Sequence, residues 1–217
     1  MRTAVALLIV GFAAPAWAGS VAGRVDLLDK KGNRAEDASE VVVWLEGPSV
    51  RPEPLRATLR MKDKEFVPHL LVVPVGATVD FPNDDVILHN VFSVSGDNRF
   101  DLDLYKRPKS AVRIFERPGI VRVYCNIHPQ MSALIVVRDN PFYARARRDG
   151  SFLIEGAPAG RFKLHAWHER AAATVSSQIV VPENGEVRAG LQLDASKYRR
   201  ARHKNKFGRD YSSDTRY

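Results

Sequence analysis

The hydrophobic pattern of this chain repeats every two residues almost wherever it repeats at all. In "IVRVYC", Val121, Val123 and Cys125 fall on one face, with Arg122 and Tyr124 on the other. In "RFKLHAW", Phe162, Leu164 and Ala166 alternate with Arg161, Lys163 and His165. In "VRAGLQL", Val187, Ala189, Leu191 and Leu193 share a face. Period two marks a strand with one face buried. Turn signals separate these runs: "DKKGN", "RPG", "RDG", "APAG" and "ENGE". No stretch carries a sustained helical period, and the nearest candidate, "RAAATV" near residue 170, is short. Short alternating strands with frequent turns predict an all-β sandwich architecture.

The order of the runs predicts how the domains are arranged. Residues 19–55 hold two strand candidates, "SVAGRVDLL" and "SEVVVWLEG", then a Pro-rich exit, "GPSVRPEP". Residues 57–138 hold about seven more, and residues 139–195 hold four. The first region is too small to bury a core of its own. Its two strands and the last four together make one ordinary sandwich. The chain is therefore expected to be a β domain, 19–55 plus 139–195, split in sequence by a second domain over 57–138. Insertion of this kind is tolerated because domain termini tend to lie close together.

The two ends read differently. "MRTAVALLIVGFAAPAWAGS" has a short positive start, an apolar run and an A-x-A site at 16–18. This predicts a signal peptide over 1–18, cleaved after Ala18, and export to a periplasm. The apolar run is shorter than the roughly 20 residues a membrane span needs. At the other end, residues 196–217 hold eight Lys/Arg against two Asp and so carry +6 of the +8 net charge. The basic balance thus belongs to a tail and does not indicate a nucleic-acid-binding fold. Without apolar periodicity, the tail is expected to be disordered or to lie on the surface as an extended arm. It could contact an acidic redox partner or an anionic membrane surface.

Candidate chemistry gathers in "YCNIHPQM". Cys125 is the only cysteine, so it forms no intramolecular disulfide. In an exported chain such a residue suggests a reactive or ligating thiol; the alternative is an inert core residue. His128 and Met131 follow at C-x2-H-x2-M spacing. Thiolate, imidazole and thioether together favour copper, and two His, one Cys and a long axial Met make the blue-copper set. A second imidazole must come from elsewhere. His89 in "VILHNVFSV" is the candidate, because a sandwich can bring a strand end beside a distant loop. His165 and His168, three apart on a strand, point to opposite faces and cannot chelate together. His69 is expected at the surface, with a secondary metal contact as the alternative. "DFPNDD" offers Asp80, Asp84 and Asp85, and two adjacent carboxylates in a turn suggest solvation more than acid/base catalysis. No nucleophile-elbow, phosphate-loop or dinucleotide-binding motif is present.

Residues 57–138 resemble the cupredoxins, with a ligand loop of the amicyanin type. The resemblance rests on "FVPHLLVVPVGATVDFPNDD", "LHNVFSV" and "FERPGIVRVYCNIHPQM". It implies a Greek-key β-sandwich with His89, Cys125, His128 and Met131 as ligands of one type 1 copper. It further implies that Asn90 ties the two ligand-bearing loops together, and that an exposed edge of His128 is the electron exit. The stretch between His89 and Cys125 departs in length and carries the charged "DNRFDLDLYKRPKS". The flanks, "GSVAGRVDLLDKKGNRAEDASEVVVWLEG" and "DGSFLIEGAPAGRFKLHAWHE", resemble a carboxypeptidase regulatory-like, transthyretin-type domain. Chains that combine the two resemble the methylamine-utilisation proteins. The expected function is one-electron transfer without catalysis, to a redox protein that is acidic or a cytochrome. The alternatives are a periplasmic copper chaperone, store or sensor, and an interaction module with a structural or vestigial metal site.

Overall fold

The computed structural model describes residues 18–48, 50–199 and 203–211. The predicted signal segment lies outside the described residues, up to Ala18, which opens the first strand. The chain begins with β1 (Ala18–Leu28) and β2 (Val42–Glu46). There follow β3 (Arg56–Thr58), β4 (Arg60–Lys62), β5 (Glu65–Val67), β6 (Leu70–Pro74), β7 (Ala77–Pro82) and β8 (His89–Ser93). Next come β9 (Phe100–Tyr105), β10 (Ser110–Phe115), β11 (Gly119–Tyr124) and β12 (Ser132–Arg138). The chain ends with β13 (Tyr143–Arg145), β14 (Ser151–Ala157), β15 (Gly160–Trp167), β16 (Val175–Val181) and β17 (Asn184–Asp194). Among the described residues the only helical element is a single 3-10 turn, Gly96–Asn98. The fold is all-β. The "RAAATV" segment forms a turn, with the Ala171 amide bonded to the His168 carbonyl. The middle region has ten strands rather than about seven. Three of them are only three residues long, too short to show alternation in sequence.

The first two and last five strands form two sheets, β14-β1-β17 and β13-β2-β15-β16. Their facing sides share one core, including Val21, Val25, Val43, Leu45, Ile154 and Leu164. The alternation seen in sequence is used here: Leu164 and Ala166 are buried, and Phe162, Val187, Ala189 and Leu191 pack against the same core. β1 lies between β14 and a parallel β17. A Cβ at Gly23 would fall 1.9 Å from the Ala189 carbonyl oxygen, so only glycine permits this approach.

The inserted strands form the sheets β10-β7-β3 and β6-β12-β11-β8-β9, with β4-β5 as a separate hairpin. A second core lies between them, including Val79, Phe81, Val121, Val123, Ile135 and Cys125. One sandwich is thus inserted within another.

The two sandwiches share a third apolar layer. Val42, Trp44 and Trp167 of the outer sandwich meet Leu70, Leu134 and Val136 of the inner one. Arg138 adds its guanidinium over the Trp44 ring, 4.4 Å from the centroid. β12 is therefore buried on both faces: Ala133, Ile135 and Val137 enter the inner core, while Leu134 and Val136 enter the shared layer. β2 does the same in the outer sandwich. We expect Leu134→Ala and Ile135→Ala each to cost about 2–5 kcal/mol in urea unfolding. A cost for Leu134→Ala within about 0.5 kcal/mol of zero, as at an exposed position, would show that the shared layer does not couple the sandwiches.

Candidate metal centre

The site is built where two neighbouring strands of the inner sandwich end. β11 places Val121, Val123 and then Cys125 on its inward face, all fully buried. β8 runs beside it, paired at Tyr124 and Phe92, and begins with His89. Beyond Cys125 the chain curls back on itself. The Met131 amide donates to the His128 carbonyl at 3.0 Å, and the Cys125 amide donates to the Met131 carbonyl at 3.3 Å. Pro129 fits this loop because its ring fixes one backbone angle and it needs no amide partner. β12 then leaves antiparallel to β11.

This geometry converges three donors, one soft sulfur and two borderline imidazole nitrogens. His89 Nδ1 lies 3.0 Å from His128 Nδ1, and Cys125 Sγ lies 3.6 Å from His128 Nδ1 and 3.9 Å from His89 Nδ1. A circle through the three atoms has a radius of about 2 Å, close to metal–imidazole and metal–thiolate bond lengths. All three residues are buried. Met131 is fully buried in the same core. The donor set fits a soft or borderline first-row ion such as copper.

The surroundings fix which atoms face the centre. Asp85 Oδ2 lies 2.8 Å from His89 Nε2. A carboxylate there holds the proton on Nε2 and leaves Nδ1 as a lone pair toward the cluster. His128 Nδ1 then carries the hydrogen of the 3.0 Å contact, and a cation would replace that hydrogen. Asp85 is itself positioned: its carboxylate accepts the amides of Asp63 and Lys64, and its own amide donates to the buried Asn83. Burial pushes its carboxyl up, but the Lys64 amide, the His89 ring and the Asp63 amide together hold it below the ordinary range. Burial pushes the Cys125 thiol up, against the backbone amides of Asn90, Ile127 and His128 that point at the sulfur. An empty pocket thus favours the thiol, and a cation is needed to stabilise the thiolate.

Two features expected from the resemblance take a particular form here. Asn90 does link the two ligand-bearing segments, but through its backbone and not its side chain. Its side-chain amide group donates to Asp101 Oδ1 at 2.7 Å and to the Asp103 carbonyl at 2.9 Å, tying β8 to β9. It is the Asn90 backbone amide that reaches the Cys125 sulfur. His128, by contrast, is not edge-exposed. It is 5% exposed, and among the described residues its buried Nε2 has no hydrogen-bond partner.

The tail is the larger surprise. Residues 203–211 follow the extended-arm alternative, not disorder, because they find specific partners beside the cysteine. The Tyr211 hydroxyl donates to the Cys125 carbonyl at 2.7 Å, and the Lys206 amide donates to Asn126 Oδ1 at 2.9 Å. His203 stacks on Tyr124 with centroids 4.1 Å apart and meets the Tyr211 ring edge-on. Lys206 Nζ lies 2.6 Å from Asp101, the same carboxylate that receives Asn90. Sequence reasoning read Asp85 as solvated, whereas His89 and the Asp63 and Lys64 amides hold it, and it gave the tail residues no specific partners. The Asp85–His89 spacing of four was the only local hint; nothing local ties Tyr211 to Cys125.

The other histidines lie apart from this centre. His165 stacks on Trp44 and pairs with Glu46, while His168 is buried with Nδ1 accepting the Arg170 amide. His69 lies near Glu169 and Glu40.

No protein-family model and no curated protein matches this chain. Solved structures that resemble it include a Cu-containing nitrite reductase from Thermus scotoductus SA-01, 29% identical, with a TM-score of 0.36. That likeness covers 41% of this chain and 23% of the reductase, so the chain spans under a quarter of that protein's length. A purple cupredoxin from Nitrosopumilus maritimus is 26% identical over 38% of this chain and 99% of its own, with a TM-score of 0.34. Amicyanin from Paracoccus versutus is 20% identical over 38% of this chain and 80% of its own, with a TM-score of 0.36. With so little of this chain covered, a functional reading rests on the geometry of the cluster.

Burial lowers the pKa of both His128 and His168 from 6.5 to about 4. The unfolded chain takes up these protons as pH falls through 6.5, and the folded chain does not until about 4. The metal-free protein should therefore keep this stability above pH 6.5 and lose it progressively as pH falls through that window. Urea midpoints compared at about pH 7 and about pH 5 should fall, and His168→Gln should reduce the fall. A flat profile would mean that these imidazoles are protonated in the folded protein.

Proposed function

We propose that this chain is an exported, periplasmic blue copper protein that transfers single electrons. The observation that carries this reading is the triangle of His89 Nδ1, His128 Nδ1 and Cys125 Sγ, closed to solvent. Copper bound there would supply one-electron redox chemistry, alternating between Cu(II) and Cu(I).

The protein's own part is to hold the donors still and dry. Cys125 supplies the thiolate, and His89 and His128 the imidazoles. Met131 is the weak axial ligand, placed by the same loop that places His128. Asp85 orients His89, and the amides of Asn90, Ile127 and His128 stabilise charge on sulfur. Donors anchored at strand ends move little when the charge of the centre changes. Four protein ligands leave no open position for a substrate, so we assign no catalysis. Burial also favours a carrier over a chaperone, which must exchange ligands with its partner.

A partner would approach on the Cys125 side, where Tyr124, His203 and Tyr211 are partly exposed. It would be an acidic redox protein or a cytochrome, attracted by the basic tail.

Copper(II) added to the protein should give an intense visible thiolate-to-copper band that bleaches with ascorbate and returns on reoxidation. Cys125→Ser should abolish it; a colourless wild-type protein, or a variant that keeps the band, would sink the reading. Asp85→Asn should keep the colour but raise the reduction potential by some tens of millivolts, the scale of about 1 kcal/mol for one electron. The carboxylate's charge favours the more positive ion, so its removal favours reduction. An unchanged potential would mean that Asp85 serves only to orient the ring.

A further inference from the structure

A second group of donors lies where the two sandwiches meet. Glu40 precedes β2 and Glu169 follows β15, both in the outer sandwich, while His69 precedes β6 in the inner one. One ligand atom from each lies within 4.8 Å of the others. β2 and β15 are antiparallel, with Trp167 opposite Val42. Beyond that pair each chain enters a turn, and the two turns bring Glu40 and Glu169 to the same end of the sheet. Glu169 and, more weakly, Glu40 raise the pKa of His69, so the cluster draws positive charge, which a metal cation would supply in place of the imidazole's second proton.

The orientation of His69 points the same way. Its Nδ1 lies 3.2 Å from the Ser132 carbonyl, which holds the proton on that nitrogen. Nε2 then faces the two carboxylates. Glu169 Oε1 is 3.2 Å away. Nε2 is shut off from solvent, and among the described residues its partner is the Glu169 carboxylate. A buried ring nitrogen oriented by a carbonyl on its far side, with two carboxylates around it, is the arrangement of a metal-ligating histidine. His69 and Glu169 keep 36% and 21% of their side-chain surface, leaving a path for an ion and its water. Arg122 and His168 also act on Glu169 electrostatically. Arg122 weakens the site without filling it.

We infer that Glu40, His69 and Glu169 form a second metal site for a divalent borderline ion of the zinc class. One imidazole and two carboxylates suit such an ion, and three protein ligands leave a position for water. The ion would join the outer sandwich to the inner one beside the shared apolar layer. Its ligands are separate from the cysteine centre, so the inference stands whether or not that centre carries electrons.

Calorimetric titration of the full chain with Zn2+ tests it. Each site counts as one equivalent. His69→Ala and Glu169→Gln should each remove one equivalent and abolish the part of the zinc-induced rise in Tm that Cys125→Ser retains. Cys125→Ser should still bind one equivalent. Cobalt(II) gives a second reading: the equivalent lost with His69 should lack the thiolate charge-transfer band. Circular dichroism confirms that each variant is folded, and Glu40→Gln provides a further variant at the same site. Zinc binding unchanged by His69→Ala and Glu169→Gln would overturn the inference, leaving a His69–Glu169 ion pair only. So would a Cys125→Ser variant that binds no zinc while folded.

Discussion

The shared apolar layer between the sandwiches is the constraint on which the rest of the molecule depends. A strand with one wet face can be held by half its side chains. β12 and β2 have no wet face, because each serves a core on one side and the common layer on the other. Register is then fixed twice over, since a slip of one residue would exchange the two sets of side chains. The shared layer also gives the inserted strands a second reason to sit where they do. β12 begins one residue after Met131, so the strand most firmly held is the one that anchors the end of the ligand loop.

From that anchor the metal centre is reached by short steps. β11 pairs along its whole length with β12 and brings Cys125 to a fixed point. β8 shares one ladder pair with β11, yet is buried throughout and brings His89 to the same point. Three donors so enclosed are costly to leave charged without a cation. The pocket responds by keeping His128 neutral and the cysteine a thiol until a cation arrives. Asp85 and the backbone amides on sulfur tilt this balance toward the occupied state. The tail adds contacts on the far side of the cysteine, where Tyr211 holds the Cys125 carbonyl.

Much of this was legible residue by residue. The alternation in "IVRVYC" placed Cys125 inward, and the structure buries it there. The spacing of Cys125, His128 and Met131 announced a loop that returns to one point, and the chain does return. His89 was reachable as the histidine at the start of an apolar strand. Asp85 was not, because a carboxylate beside another carboxylate in a turn reads as solvated until Asn83 and the Asp63–Lys64 turn are seen to hold it. Asn90 was identified by position, but its side chain turned to β9 because Asp101 offers a charged acceptor at 2.7 Å. A basic tail without periodicity gives no sign that three of its side chains fit one small surface.

The sequence by itself determined the all-β class, the inward face of most strands and three neighbouring candidate donors, Cys125, His128 and Met131. These are local properties: period, turn chemistry and spacing along a short loop. Only the tertiary structure decided that His89 meets that loop, that Nε2 of His128 is closed off, and that Glu40, His69 and Glu169 share a corner. Each of these joins residues distant in the chain. Their meeting depends on which strands pair and which faces pack, and no local pattern encodes that.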